Sequence, residues 1–90
     1  MSELSAEQRR LARHALGLPN DRRRSYRNRF FAGPMTPTWW NWQGMVEGGG
    51  AVFYPASEGE PSDLFMLTRS AAEAVLERGE TLDLEDFPHD

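Results

Sequence analysis

Any chemistry in this chain has to be drawn from two histidines, fourteen carboxylates and ten arginines, because it contains neither cysteine nor lysine. Without cysteine there is no disulfide framework, no thiolate metal site and no cysteine nucleophile. His14 stands among Arg9, Arg10 and Arg13, and no acid or nucleophile has a motif relation to it; a general base needs such a partner within hydrogen-bond reach. His89 and Asp90 close the chain, far from His14 in sequence, and two separated histidines do not form a zinc-ligand pattern. The triplet Gly48, Gly49, Gly50 is not followed by the Lys-Ser/Thr of a phosphate-binding loop, so it reads as a turn. No enzyme activity, cofactor or metal is expected.

The remaining chemistry is electrostatic and aromatic. Residues 9–29 hold eight of the ten arginines against one acid, Asp21, a net +7, whereas residues 47–90 hold eleven acids against Arg69 and Arg78, a net -9. The whole-chain charge of -4 hides this division. Opposed halves of this kind create a field that orients a charged partner on approach. The basic block offers Arg22, Arg23, Arg24, Arg27 and Arg29 with Tyr26 and Phe30 between them, a composition suited to phosphates with stacking partners or to an acidic protein surface. The bland alternative is that these arginines pair with the acidic half of the same domain. The acids most available for electrostatic mimicry of nucleic acid are Glu58, Glu60, Asp63, Asp83, Glu85 and Asp86. Exclusive use of arginine fits a GC-rich coding bias and also suits bidentate contacts to phosphate or carboxylate.

The elements that would position these groups are legible in part. Ninety residues with 39% hydrophobic content make one small core; no apolar run approaches the roughly 18–20 residues that cross a bilayer, and there is no leader pattern. A domain over 1–80 followed by an acidic tail over 81–90 is expected, in a soluble, cytoplasmic protein. Ser5 and Gln8 match a capping box, and Gly17 with Pro19 supplies a stop, so a helix over 5–16 is predicted. Leu4, Leu11, Ala12, Ala15 and Leu16 fall on its inner side, and Arg9, Arg10, Arg13 and His14 on its outer side.

Residues 22–31 are compatible with a strand, a short helix or an ordered loop, because alternation leaves neither side cleanly apolar. Thr36 and Pro37 open a second helix that ends at the glycine triplet. Trp39, Trp42 and Val46 share its inner face, and Trp40, turned about 100° away, is expected to be exposed as an interface anchor. Strands over 51–54 and 63–67 flank a loop rich in proline, glycine and glutamate, and a last helix over about 69–78 is capped by Thr68 or Ser70. Partial docking of the tail through Leu82, Leu84 and Phe87 is expected.

The run WWNWQGMVEGGGAVFY, PASEGEPSD, LFMLTRSAAEAVL, that is helix, strand, loop, strand, helix, resembles the second half of a winged-helix domain. In that family a recognition helix ends in glycine, a two-stranded wing follows, and a phrase like Phe-x-Leu-Thr, here Phe65, Leu67 and Thr68, opens the next helix. The resemblance implies a small α+β fold, winged-helix-like, of helix, irregular basic segment, helix, β-hairpin wing and helix. It departs from the family where DNA would sit: the helix offers Trp40, Asn41, Gln43 and Glu47, and the wing Glu58, Glu60 and Asp63. The phrases ARHALGLPN, SYRNRF and LTRSAAEAVL resemble small uncharacterised proteins of bacteriophages and prophages of GC-rich bacteria.

That setting implies an accessory protein that blocks a host defence complex, in the manner of an anti-CRISPR, by occupying a basic groove. The partner is then a host protein or nucleoprotein complex, a CRISPR effector subunit among the candidates, met by a monomer or homodimer. The competing expectations are a winged-helix transcription regulator that holds DNA phosphates with the 22–29 block, and a structural component of a phage particle.

Overall fold

The computed structural model of the protein describes residues 4–87. The first element, α1 (Ala6–Leu16), begins where the capping box predicts: the Ser5 hydroxyl accepts from Gln8 N and Ser5 N donates to Gln8 Oε1, each at 3.0 Å. It ends at Gly17, whose φ of +80° lets Leu18 N reach back to the Arg13 carbonyl at 2.9 Å. A side chain at Gly17 would also run into the Tyr26 ring. Leu11, Ala12, Ala15 and Leu16 are buried as the helical period predicts. Arg13, assigned to the outer side, is buried with them; its partner lies in a distant segment that the period of one helix does not register.

Three short strands form an antiparallel sheet in the order β1 (Phe30–Ala32), β3 (Asp63–Leu67), β2 (Ala51–Tyr54). Phe30 faces Phe65, which faces Phe53, and Phe31 faces Leu64, which faces Tyr54. The pleat therefore sends Phe30, Phe65 and Phe53 to one side and Phe31, Leu64 and Tyr54 to the other. On the inner side Phe65 is fully buried, 5.6 Å from the stacked Trp42 ring and 5.3 Å from Phe53. This aromatic cluster, with Leu11, Leu16, Met45, Leu67 and Val75, is the core.

The second helix, α2 (Pro37–Glu47), follows β1 across residues 33–36 and is capped by Thr36, whose hydroxyl accepts from Trp39 N at 3.2 Å. Trp42 and Met45 are its buried residues. It lies close to α1, since a Cβ at Gly44 would stand 3.0 Å from Gln8 Nε2. The third helix, α3 (Arg69–Ala74), is capped by Thr68 and is shorter than the helix over 69–78 that Gly79 suggests. Its last carbonyls are taken from outside: Arg9 donates to Ala74 O at 3.1 Å and Arg13 to Val75 O at 2.9 Å. Arginines of α1 thus satisfy the orphan acceptors of α3, and the chain turns away before Glu77 and Glu80. The described residues therefore make a small α+β fold of three α-helices and a three-stranded antiparallel sheet, with one 3₁₀ turn at Leu84–Asp86. No helix among them is long and apolar enough to cross a membrane.

Most of the basic segment is irregular. Its amides serve the C-terminus of α1, with Tyr26 N donating to Leu16 O at 3.2 Å and Arg29 N to Ala15 O at 3.3 Å, and Arg24 makes a parallel bridge to Thr81. Ser25 and Asn28 are buried. Asn28 lies one step of the β1–β3 register beyond Phe30, opposite Leu67, and its amide replaces backbone there: Oδ1 accepts from Leu67 N at 2.8 Å and Nδ2 donates to Leu67 O at 3.0 Å. The same nitrogen reaches Asp86 O at 3.3 Å. Residues 81–87 lie against this segment, with Phe87 buried in the core, Leu82 half-buried and Leu84 exposed.

Truncating Asn28 strands a buried amide and carbonyl of β3, which costs about 2–3 kcal/mol. Asn28→Ala is expected to lower the melting temperature by on the order of 10–20 °C, measured by calorimetry; a change of only ~1 °C would mean that the ladder does not continue past Phe30.

Candidate partner-binding surfaces

The structure folds the two charged halves onto one another. Arg13 and Glu80 form a two-pronged ion pair, Nη1 to Oε1 at 2.6 Å and Nη2 to Oε2 at 2.8 Å, with side chains only 10% and 6% exposed. Glu80 Oε1 also accepts from Glu77 N at 2.6 Å. The Arg13 hydrogen bonds hold the Glu80 carboxyl down at about 2, although burial alone would raise it; the Glu77 amide and the charge of Arg23 act in the same downward direction. Neither residue figured among the expected site residues, and the only signal for them was the charge division itself.

Of the five arginines in the 22–29 block, three are engaged internally. Arg23 donates to Arg78 O at 3.3 Å, Arg24 stands 3.7 Å from Asp83, and Arg27 donates to His14 O at 2.8 Å while lying 5.2 Å from the Tyr26 ring centroid. Arg22 and Arg29 are exposed and have no ion pair among the described residues. The block is therefore not a continuous phosphate-binding stripe.

The expected acidic surface divides in the same way. Asp63 is buried and its carboxylate is internal, accepting from Trp39 Nε1 at 2.9 Å and from Ala56 N at 2.7 Å. Expected among the exposed acids of the wing, it opens β3 as predicted, but the pleat turns it inward with Phe65 and Leu67. Glu58 and Glu60 are exposed on that loop, where Glu60 N donates to Ser57 O and Gly59, at φ +90°, makes the turn. Asp83 Oδ1 accepts from Glu85 N and stands 3.7 Å from Arg24 Nη2, while Asp83 N donates to the Ser25 hydroxyl at 2.9 Å; Glu85 is exposed. Asp86 is half-buried with one carboxylate oxygen lacking a partner, and burial first, then Asp83 and Glu85, raise its carboxyl against the opposing charge of Arg29.

Trp40 is 57% exposed, and its ring meets Trp39 edge-on at 4.8 Å. Because Trp39 is tied to Asp63, and Asp63 to Ala56, one chain of contacts joins Trp40 to the base of the loop carrying Glu58 and Glu60. The contacts from Trp40 thus reach Ala56, at the start of the loop that carries Glu58 and Glu60, whereas Asp83, Glu85 and Asp86 lie beside the basic segment.

His14 is exposed, with its ring 5.5 Å from Phe30, and no group of three or more metal-ligating side chains occurs among the described residues. His89 and Asp90 lie outside them. Comparison of the chain with protein-family models, with curated proteins and with solved structures finds no match.

A carboxyl whose folded pKa lies below its unfolded value adds stability that is complete above the unfolded value, about 4.5, and is lost as the pH falls toward about 2. For Glu80 the loss amounts to about 2–3 kcal/mol; Asp86, shifted the other way, opposes it. Urea unfolding across this range is expected to show the loss in the parent chain. Glu80→Gln should cost about 3–5 kcal/mol near neutrality by leaving Arg13 buried without its counterion. The apolar pair Arg13→Met with Glu80→Leu should recover stability and show a flatter acid limb; an unchanged limb would assign the loss to other carboxyls.

Proposed function

We propose that this chain is a non-enzymatic binding protein that acts by inserting an acidic, tryptophan-bearing end into a basic groove of a partner. The observation that carries the reading is the chain of contacts from exposed Trp40 through Trp39 and Asp63 to Ala56, at the start of the loop of Glu58 and Glu60. An exposed tryptophan held against a second ring is a low-entropy anchor. Two exposed carboxylates on the adjoining loop, neither in an ion pair among the described residues, supply complementarity to a basic surface and speed its encounter. The resemblance to small phage proteins supports a groove in a host complex that targets nucleic acid, such as a CRISPR effector, in the bacterial cytoplasm. The hairpin of β2 and β3, directly after α2, supports reading it as a wing. In this reading the wing meets protein, because its free charges would repel phosphate.

The DNA-binding alternative is weaker on two observations. Arg23, Arg24 and Arg27 are used inside the domain, leaving Arg22 and Arg29 for phosphates. Moreover α2 is preceded by a strand and a short connection, whereas a helix-turn-helix needs a partner helix crossing the backbone.

In a bacterium defended by an RNA-guided system, expression of the protein should raise phage plating. Trp40→Ala, and Glu58→Arg with Glu60→Arg, should each reduce that protection by on the order of tenfold or more; protection untouched by both would sink the reading. Labelled duplex DNA at about 100 mM salt should bind no tighter than the micromolar non-specific range, and a tight, sequence-selective complex would favour the regulator.

A further inference from the structure

The outer side of the sheet breaks the usual pattern of an antiparallel sheet with one solvated face. Such a face alternates to polar residues, yet here Phe31, Leu64, Tyr54, Met66 and Val52 occupy all the outward positions that the register defines. Phe31 is 58% and Val52 39% exposed. The helices do not cover this face: α1 and α2 pack on the core side, where Phe65 and Trp42 stack. An uncharged, contiguous face of this kind marks an interaction surface.

Its rim indicates what covers it. A groove of about 380 Å³ is lined by Leu64 and Met66 together with the charged residues Arg27, Arg29, Glu85 and Asp86. Arg29 and Glu85 are exposed and neither has an ion pair among the described residues, although the charge of Arg29 is felt by Asp86 in the same groove. A surface shaped for an acidic or a basic stranger would carry one sign. One that carries both signs around an apolar floor matches itself, because a two-fold axis lying in the interface brings each group to the copy of the other.

We propose that the outer sheet face is the interface of a homodimer, in which Leu64 and Met66 of two copies pack together and Arg29 of each copy pairs with Glu85 of its mate. Three strands about 4.8 Å apart and three to five residues long, at about 3.3 Å per residue, make a floor only some 15 Å square. That is less than the roughly 800 Å² per partner of a standard interface, so the dimer is concentration-dependent, with a dissociation constant in the micromolar range. The face lies away from α2, so the dimer does not use Trp40.

Sedimentation equilibrium of the full chain tests this. The mass should rise from 10.3 kDa toward twice that value as concentration passes through about 1–100 µM. Met66→Glu should hold the chain monomeric with its circular dichroism unchanged. Arg29→Glu and Glu85→Arg should each weaken the dimer by on the order of tenfold, and combining them should restore it to within about threefold of the parent. The restored double variant is the outcome that a loss of folding cannot imitate. A parent chain that stays monomeric to several hundred micromolar would overturn the proposal. So would a dimer indifferent to Met66→Glu, or charge reversals that fail to compensate.

Discussion

The buried ion pair between Arg13 and Glu80 is the constraint around which the rest is arranged. A guanidinium taken into the interior of a domain this small must be matched by a carboxylate and have its remaining donors filled. Glu80 and the Val75 carbonyl meet both demands. The pairing requires α3 to end early, so that the chain can bring Glu80 back to α1. It thereby sets the path of residues 81–87 along the basic segment, where Thr81 bridges Arg24, the Ser25 hydroxyl accepts from Asp83 N, and Asn28 reaches Asp86. A buried pair is weak evidence for net stability, since apolar replacements often do as well. Its effect here is on topology: it selects the one path on which the acidic end of the chain covers the basic beginning.

That arrangement explains which parts were legible in the sequence. Elements whose signals are local came through with their ends correct. The Ser5 and Gln8 box, Thr36 with Pro37, the glycine triplet and the two strands of the hairpin each rest on residues within a few positions of one another. What failed depended on partners far along the chain. Nothing within 69–79 says that α3 stops at Ala74, because the groups that take its carbonyls are Arg9 and Arg13. Nothing within 22–31 chooses between strand and loop, because the choice is made by the carbonyls of α1 and by the amide of Leu67 that Asn28 satisfies. Arg13 looked solvent-facing for the same reason.

The candidate surfaces were legible to a similar degree. Trp40 follows from helical geometry alone, since three tryptophans in four positions cannot share one face. Glu58 and Glu60 follow from a loop too polar to be buried. Asp63 does not: its strand position was legible, but a carboxylate on the inner face is tolerable only because Trp39 Nε1 and Ala56 N donate to it, and those partners are not local in sequence. The outer sheet face was missed because alternation was sought as apolar against polar, whereas both sides of β3 are apolar apart from Asp63 itself.

Charge cancellation within the domain also changes what the sequence-level dipole means. A basic half and an acidic half suggested two large surfaces of opposite sign, one for each kind of partner. Arg13 meets Glu80 and Arg24 meets Asp83, while Arg9, Arg23 and Arg27 keep their charge but have donors fixed on backbone carbonyls, so the opposed halves are partly cancelled where they meet. Glu58 and Glu60 matter because their loop starts where the contacts from Trp40 end, and Arg29 and Glu85 because they share a groove with Leu64 and Met66. The hairpin connects the two settings, bearing the acidic loop at its tip and the apolar face on its outer side, while α2 holds Trp40 on the core side of the same sheet. A protein built this way presents its aromatic anchor and its apolar sheet in different directions, so filling one surface leaves the other's anchor open.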